Sequence, residues 1–237
     1  ILFVVILLLP NNILNNYLLV VMKTTHKYLE TGAFEKGVQD IPPTIERMLE
    51  AEMRFYTQPL QGHERVLDVG TGTGRTASYL SDHASQVITI DTCAYIARKS
   101  AETLRPKKNI TVMIADGTQL PFQDGSFDAA VFGMSTLGTL DKETQIRLLR
   151  EVSRVTKGPL RGSVYGQSAA PFQKDWYERT GVRVSKIDDD YVYIDELGFR
   201  SQRFSENGLG LLLAQTGLAY SIQKLTDIGL GYEVRRS

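Results

Sequence analysis

A glycine-rich turn at residues 66–76, VLDVGTGTGRT, constrains this chain more than any other part of its sequence. An apolar strand runs into the turn and a helical stretch follows it, so the glycines lie at a strand-to-helix junction. Glycines at such a junction let the backbone approach a ligand where a Cβ would collide, and the amide groups that start the helix point toward that ligand. Three alternating glycines exceed the needs of a tight turn, so we expect Gly70, Gly72 and Gly74 to line a binding site.

The remainder of the chain alternates between strand-like and helix-like segments. The predicted strands are 65–69, 86–91, 110–115, 127–132, 160–165, 191–194, 220–225 and 232–235, and the predicted helices start at Thr44 or span 76–80, 94–104, 142–156, 172–180 and 205–217. Strands that alternate with helices form βαβ units, so we predict an α/β fold whose parallel sheet carries helices on both faces. Sheets of this kind bind ligands outside the carboxyl ends of their strands.

Acidic residues follow the glycine turn at two of those strand ends. Asp91 closes the second strand about 20 residues after the turn, where a carboxylate can accept both hydroxyls of a ribose. A residue that merely caps the next helix is the alternative reading of Asp91. Asp116 and Gly117 close the third strand and precede LPF at 120–122 and FD at 127–128, an association that a surface turn alone does not predict.

These motifs distinguish between two cofactor classes. A nicotinamide or flavin fingerprint reads G-x-G-x-x-G, whereas Arg75 stands where its third glycine would be. The G-x-G-x-G turn, preceded by Asp68 and followed by the two acidic strand ends, resembles the first motifs of class I S-adenosylmethionine-dependent methyltransferases, in particular a type 11-like domain that acts on small molecules. The resemblance implies a Rossmann-like, doubly wound, mostly parallel sheet of seven strands.

The same resemblance implies a set of cofactor-binding residues. The glycine turn would surround the amino-acid part of S-adenosylmethionine, with Asp68 holding the turn or the ammonium group. Asp91 would bind the ribose, and Asp116 with Gly117 would bind the adenine. The cofactor residues expected in full are Asp68, Gly70, Thr71, Gly72, Gly74, Asp91, Thr92, Asp116, Gly117 and Gly133. No catalytic base stands out, and methyl transfer from a sulfonium can rely on orientation and desolvation. No metal site is expected, because His26, His63 and His83 lie too far apart in sequence to form a local ligand motif.

The methyl acceptor is expected to be a small molecule. The residues after the fourth strand, 133–138, read GMSTLG and lack the N-P-P-Y or D-P-P-Y sequence of methyltransferases that modify nucleic-acid bases. Residues 22–44 and 166–205 would cover the acceptor, and the second stretch supplies aromatic and guanidinium groups that suit a small anionic or planar molecule. The candidates there are Trp176, Tyr177, Tyr193, Arg200 and Arg203. A core role for the aromatic residues and a solvated role for the arginines are equally good readings.

The net charge and the cysteine content exclude several kinds of partner and cofactor. The chain has 27 Lys and Arg residues against 27 Asp and Glu residues, so it offers no electrostatic surface for DNA. Cys93 is the only cysteine, which excludes a disulfide within the chain and a cysteine-ligated cluster. We expect a cytoplasmic protein that acts as a monomer or homodimer.

The first 21 residues differ in composition from the rest. They carry no charge, whereas Met22 begins an ordinary mixed sequence. We interpret residues 1–21 as upstream sequence read in frame, with residues 22–237 forming one methyltransferase domain whose cofactor core spans about 62–166. A membrane anchor is the main alternative, since 21 uncharged residues can span a bilayer, and an unusual signal is a third.

Two other functions stay open. A nicotinamide-dependent oxidoreductase would share the βαβ pattern, and preferential binding of NAD would favour it. A protein that binds S-adenosylmethionine without catalysis would account for the missing general base.

Overall fold

The computed structural model describes residues 39–58, 60–62, 64–194 and 198–236. The helices are α1 (Pro43–Thr57), α2 (Arg75–Leu80), α3 (Ala94–Thr103), α4 (Lys142–Val155), α5 (Ala170–Arg179) and α6 (Glu206–Ala214). The strands are β1 (Arg65–Val69), β2 (Gln86–Asp91), β3 (Ile110–Ile114), β4 (Ala129–Phe132), β5 (Leu160–Gly166), β6 (Lys186–Ile187), β7 (Tyr191–Ile194), β8 (Phe199–Phe204), β9 (Ala219–Thr226) and β10 (Gly229–Arg235). Two short 3-10 helices, Leu137–Thr139 and Gln167–Ala169, follow β4 and β5.

Seven of these strands form the central sheet in the order β3-β2-β1-β4-β5-β10-β9. The first five are parallel, and β10 is antiparallel to both of its neighbours. The order reverses between β1 and β4, so the crevice for a ligand lies outside their carboxyl ends. The predicted doubly wound, mostly parallel sheet is therefore confirmed.

The core lies on both faces of this sheet because successive strand residues point in opposite directions. Leu67 and Val69 of β1 join an apolar cluster with Leu148 of α4, which also includes residues of α6. Val66 points to the other face, where it joins a cluster with Leu80 of α2 and residues of α1. Each buried side chain of this size contributes about 1.5–3 kcal/mol to folding, so the two layers hold the strand ends in fixed register.

A smaller sheet extends the fold beyond the end of β4. Strand β7 is antiparallel to both β6 and β8, and β8 runs parallel to β5 with Tyr165 opposite Arg203. At Tyr165, β10 occupies the other edge of β5, since Gly229 pairs there. Strand β8 therefore lies on the β4 side of β5, in line with β4 and past its carboxyl end.

Some boundaries differ from the predictions. Helix α1 begins at Pro43, one residue before the expected cap Thr44, whose hydroxyl instead accepts from Arg47 at 3.1 Å. The helix that Ser205 caps ends at Ala214 and stops short of Gly217. Strands β6 and β8 were not predicted. No described helix combines the length and the apolar character needed to cross a membrane, and the interpretation of residues 1–21 lies outside the described residues.

Candidate functional site

The glycine turn binds back to the neighbouring strand. Its three glycines have φ values of 85°, 53° and 84°, in the left-handed region that favours glycine. The amides of Gly70 and Thr71 both donate to the carbonyl of Ile90, at 2.9 and 3.0 Å, which fixes the turn against the end of β2. A Cβ on Gly70 would lie 2.6 Å from Thr136 Oγ1, so the turn also packs closely against the loop after β4.

Asp68 is a wholly buried carboxyl group beneath the turn. Its Oδ2 accepts from the hydroxyl of Thr89 at 2.7 Å, and that hydroxyl also contacts the hydroxyl of Thr71. Its Oδ1 has no hydrogen-bond partner in the described part of the chain. Burial raises the pKa of Asp68 to about 7, although the Thr89 hydroxyl and the charge of Arg75 oppose this rise. An unsatisfied buried carboxylate oxygen is costly, so this atom calls for a donor from a ligand.

Asp91 is at the end of β2, beside the turn, and is partly exposed. Its Oδ1 accepts from the amide of Cys93 at 2.8 Å, and its Oδ2 lies 3.4 Å from the amide of Gly72. The amide of Thr92 also donates to this carboxylate. Burial raises the pKa of Asp91 to about 6. The carboxylate is therefore oriented by the backbone while its outer side stays open to a ligand.

The third strand end is organised by a local turn. Asp116 Oδ1 accepts from both the amide and the hydroxyl of Thr118 at 2.8 Å. Gly117 is buried, and a Cβ there would lie 2.5 Å from Leu148 Cδ1, so close packing requires glycine. These two hydrogen bonds fix the orientation of the Asp116 carboxylate after the third strand.

The loop after β4 completes this edge of the sheet. Gly133 is buried, and a Cβ there would approach Thr76 Oγ1 of α2 to 3.3 Å. Ser135 has a φ of 72°, a left-handed conformation that costs a residue with a side chain about 1–2 kcal/mol. Strain of this kind persists where the surroundings impose it, and it is frequent at functional sites.

Two charged residues at the site, Glu52 and Arg75, were not among the predicted cofactor residues. Glu52 of α1 is wholly buried and receives hydrogen bonds from four elements. Its donors are Tyr56 (2.7 Å), Met134 N–H (2.5 Å) and Ser163 (2.9 Å) on Oε1, and Arg75 (2.9 Å) on Oε2. The sequence contained a sign that Glu52 is buried, because this residue interrupts the apolar face of α1 four residues before Tyr56.

The predicted acceptor residues fall into two groups. Tyr177 belongs to an apolar cluster with Phe199, and burial raises its pKa to about 12. Arg200 is exposed and lies over the Tyr191 ring, 4.7 Å from its centroid. Tyr193 faces Lys186 on the same hairpin.

Trp176 and Arg203 lie closer to the edge of the central sheet. Trp176 packs against the apolar cluster that also contacts Met134, in the loop after β4. Arg203 is buried next to Tyr165 at the end of β5. The structure thus brings two of the five candidates to the side of the sheet where the cofactor residues lie.

Part of the chain is similar to known methyltransferases. Residues 66–158 match the family model described as a methyltransferase domain. The chain is 30% identical over 119 residues to protein-L-isoaspartate O-methyltransferase 1 of Syntrophobacter fumaroxidans, which covers 47% of this chain and 56% of that protein. It is 33% identical over 105 residues to the ubiquinone/menaquinone biosynthesis C-methyltransferase UbiE of Geobacter sp. strain M21, over 42% of this chain and 43% of that protein. The chain spans about half the length of these curated relatives.

The fold is also found among solved methyltransferase structures. One is the 1,6-didemethyltoxoflavin-N1-methyltransferase of Burkholderia thailandensis with bound 1,6-didemethyltoxoflavin and S-adenosylhomocysteine. It has a TM-score of 0.69 and 15% identity, and the match covers 98% of this chain and 93% of that chain. At that identity the likeness concerns the fold.

Proposed function

Since residues 66–158 match the family model of a methyltransferase domain, we propose that this chain is a class I S-adenosylmethionine-dependent methyltransferase, which transfers a methyl group from S-adenosylmethionine to a small-molecule acceptor. The observation that carries the proposal is the acidic edge of the sheet, where Asp68 and Asp91 flank the glycine turn on adjacent strands. Their parallel register pairs Asp68 with Thr89, two residues before Asp91. The two carboxylates therefore lie close together near the edge of the sheet where the strand order reverses, which is where such sheets bind ligands.

The charges at this edge suit the cofactor. Arg75 forms an ion pair with Glu52 and lies near Asp68, which in turn lies near Asp91. These three carboxylates outnumber the one guanidinium, so the cluster carries negative charge when all are ionised. S-adenosylmethionine carries an ammonium, a sulfonium and a carboxylate, and the first two are cations. Asp68 Oδ1, which lacks a donor in the described residues, would accept from the ammonium. Arg75 is partly exposed and would bind the carboxylate with the N–H groups that Glu52 leaves over.

The remaining predicted residues would hold the nucleoside. Asp91 would accept the ribose hydroxyls, helped by its backbone-fixed orientation and by its position next to Thr92. Asp116 and Gly117 would contact the adenine. Because an ionised carboxylate is needed to accept two hydroxyl groups, the raised pKa of Asp91, about 6, predicts weaker cofactor binding below that pH.

When bound, S-adenosylmethionine supplies an electrophilic methyl group for in-line displacement. The residues of this chain contribute position and exclusion of water rather than covalent chemistry. Gly133 and the strained Ser135 shape the loop after β4, and Glu52 fixes that loop through the amide of Met134. No general base is assigned.

Thermal unfolding of the chain with S-adenosylmethionine, S-adenosylhomocysteine or NAD tests the cofactor. At about 100 times Kd, a ligand stabilises the folded state by about 2.7 kcal/mol, which is a shift of about 5–11 °C for a chain of this size. Shifts with both sulfur nucleotides and none with NAD support the proposal. A shift with NAD alone refutes it and favours an oxidoreductase.

Replacing Asp91 with Asn tests the ribose assignment. We expect the affinity for S-adenosylhomocysteine, measured by calorimetry, to fall more than tenfold because the amide cannot accept both hydroxyls. The matched control is Asp227→Asn at an exposed aspartate that pairs with Lys224. Equal affinities of the two variants would remove Asp91 from the site. Incorporation of labelled methyl groups into a panel of small acceptors then separates an enzyme from a protein that only binds the cofactor.

A further inference from the structure

Arg203 is a buried cation with unused hydrogen-bonding capacity. Its relative exposure is 2%. Nη2 donates to the backbone carbonyl of Asp188, but Nε and Nη1 have no hydrogen-bond partner within the described ranges. Burial lowers the pKa of Arg203, although the neighbouring aspartates oppose this effect. A buried guanidinium with unpaired N–H groups destabilises the ligand-free fold, so a bound anion would relieve a cost that the protein otherwise bears.

Three aspartates, Asp188, Asp189 and Asp190, lie near Arg203, and the Asp188 carboxylate is engaged elsewhere. Asp188 forms an ion pair with Lys186 at 3.2 Å, and its Oδ1 accepts from the amide of Tyr191 at 2.8 Å. Asp190 contacts Arg203 through its backbone, because its carbonyl accepts from the Arg203 amide at 2.6 Å. These contacts hold the strand and the loop together. Two guanidinium nitrogens, Nε and Nη1, have no hydrogen-bond partner among the described residues.

A second unsatisfied polar group lies on the same face of β8. Ser201, two residues before Arg203, points to the same side of the strand and accepts from Gln173 Nε2 at 3.0 Å. Gln173 is wholly buried, and its Oε1 has no partner among the described residues. One face of β8 therefore offers both donors and an acceptor to a polar ligand.

The position of Arg203 relates it to the methyl-transfer edge. Phe132, the last residue of β4, pairs with Gly162 of β5, and Arg203 pairs with Tyr165 three residues further along β5. Since strand residues rise about 3.3 Å each, Arg203 lies about 10 Å beyond the end of β4, in line with it. That separation matches the length of a small acceptor with a nucleophile at one end and a charged group at the other.

We propose that Arg203 binds the anionic group, a carboxylate or a phosphoryl group, of the methyl acceptor and so selects acidic acceptors over neutral ones. This inference rests on the proposed function, because the acceptor is defined by methyl transfer. Gln173 accepts a hydrogen bond from the same molecule. The acceptor nucleophile then points toward Gly133, while its anionic end stays at the β8 face.

The test uses the full chain saturated with S-adenosylhomocysteine and three aromatic probes of similar shape. 4-Hydroxybenzoate and phenylphosphonate represent the two anionic classes, and 4-hydroxybenzamide is the neutral counterpart. Calorimetry should give at least one anion a tenfold higher affinity than the amide. The better anion identifies the class. Arg203→Gln should reduce the preference below threefold while the affinity for S-adenosylhomocysteine stays within twofold. Arg183→Gln, at an exposed arginine, is the charge-matched control and should keep the preference.

Equal affinities of the anions and the amide for the wild-type chain overturn the inference, as does an Arg203→Gln protein that keeps the full preference. If Arg203→Gln does not fold, Arg203→Lys replaces it. The lysine keeps the charge but loses the fixed fork of N–H groups, so the preference should fall at least threefold, and an unchanged preference counts against the role. Failure of the wild-type chain to bind S-adenosylhomocysteine refutes the proposed function instead, since the cofactor site does not include Arg203.

Discussion

Replacing Asp68 with Asn should remove a pH dependence from the stability of the ligand-free protein. Asp68 is wholly buried, and burial raises its pKa from 3.8 to about 7. Between those two pH values the folded state keeps a proton that the unfolded state has lost. Protonation of Asp68 therefore contributes stability that is fully present below about pH 4 and is lost as the pH rises through about 7.

The size of this contribution follows from the shift. A difference of about three pKa units corresponds to about 4 kcal/mol at 1.4 kcal/mol per unit. Between pH 5 and pH 8 about two of those units are lost, so the free energy of unfolding should decrease by about 3 kcal/mol. Asn stays neutral at every pH. The Asp68→Asn protein should lack this decrease, whatever its absolute stability.

Urea denaturation at pH 5, 6.5 and 8 measures the effect as the difference in slope between the wild-type chain and Asp68→Asn. Thr89→Val is the matched variant, because the Thr89 hydroxyl donates to Asp68 Oδ2 at 2.7 Å and favours the ionised form. Its removal should move the loss of stability to higher pH. Identical pH dependence in the wild-type chain and Asp68→Asn would show that Asp68 titrates as an exposed carboxyl, and the ammonium assignment would fail with it.

Two further substitutions probe how the site is held. Glu52→Gln should lower the free energy of unfolding by about 3 kcal/mol in urea denaturation, because it breaks a buried ion pair. The control Glu50→Gln, at an exposed position of the same helix, should change it by less than about 0.5 kcal/mol. Equal effects of the two substitutions would contradict the role of Glu52. Gly70→Ala combines a left-handed φ with a Cβ 2.6 Å from Thr136 Oγ1, whereas Gly217→Ala has a similar φ and nothing within 4 Å. Thermal unfolding should therefore show a clearly larger loss for Gly70→Ala than the cost of about 1–2 kcal/mol expected for Gly217→Ala, and equal losses would rule out the close approach.

The central sheet could be predicted because each of its strands is marked by residues that are close together in the sequence. The β1 and β2 segments are apolar runs buried on both faces, and their bounds match the predictions. Helix α4 begins at Lys142 as predicted, and the side chain of Asp141 caps it by accepting from the Thr144 amide at 2.9 Å. The glycine turn and Asp91 lie at the strand ends where the sequence predicted them. Their roles toward the cofactor remain proposals.

Strand β8 could not be predicted because its stability comes from distant partners. Its sequence FRSQRF is mostly polar, yet Ser201 and Arg203 are buried. Their burial depends on α5, on β7 and on the end of β5, which lie about 10 to 40 residues away in sequence. Glu52 was missed for a different reason. Its position on an apolar helix face was visible, but three of the four donors that satisfy it come from elements other than α1.

The site separates opposite charges along one edge of the sheet. Carboxylates gather at the ends of β1 and β2 and on α1, where a cationic cofactor is proposed. Past the end of β4, Arg203 keeps two guanidinium nitrogens without a hydrogen-bond partner among the described residues. An acidic acceptor would be attracted to Arg203 and repelled from Asp68 and Asp91, so it could bind in one orientation only. That orientation turns its far end toward Gly133. In-line displacement requires such an alignment, and here it would arise from electrostatics without a catalytic base.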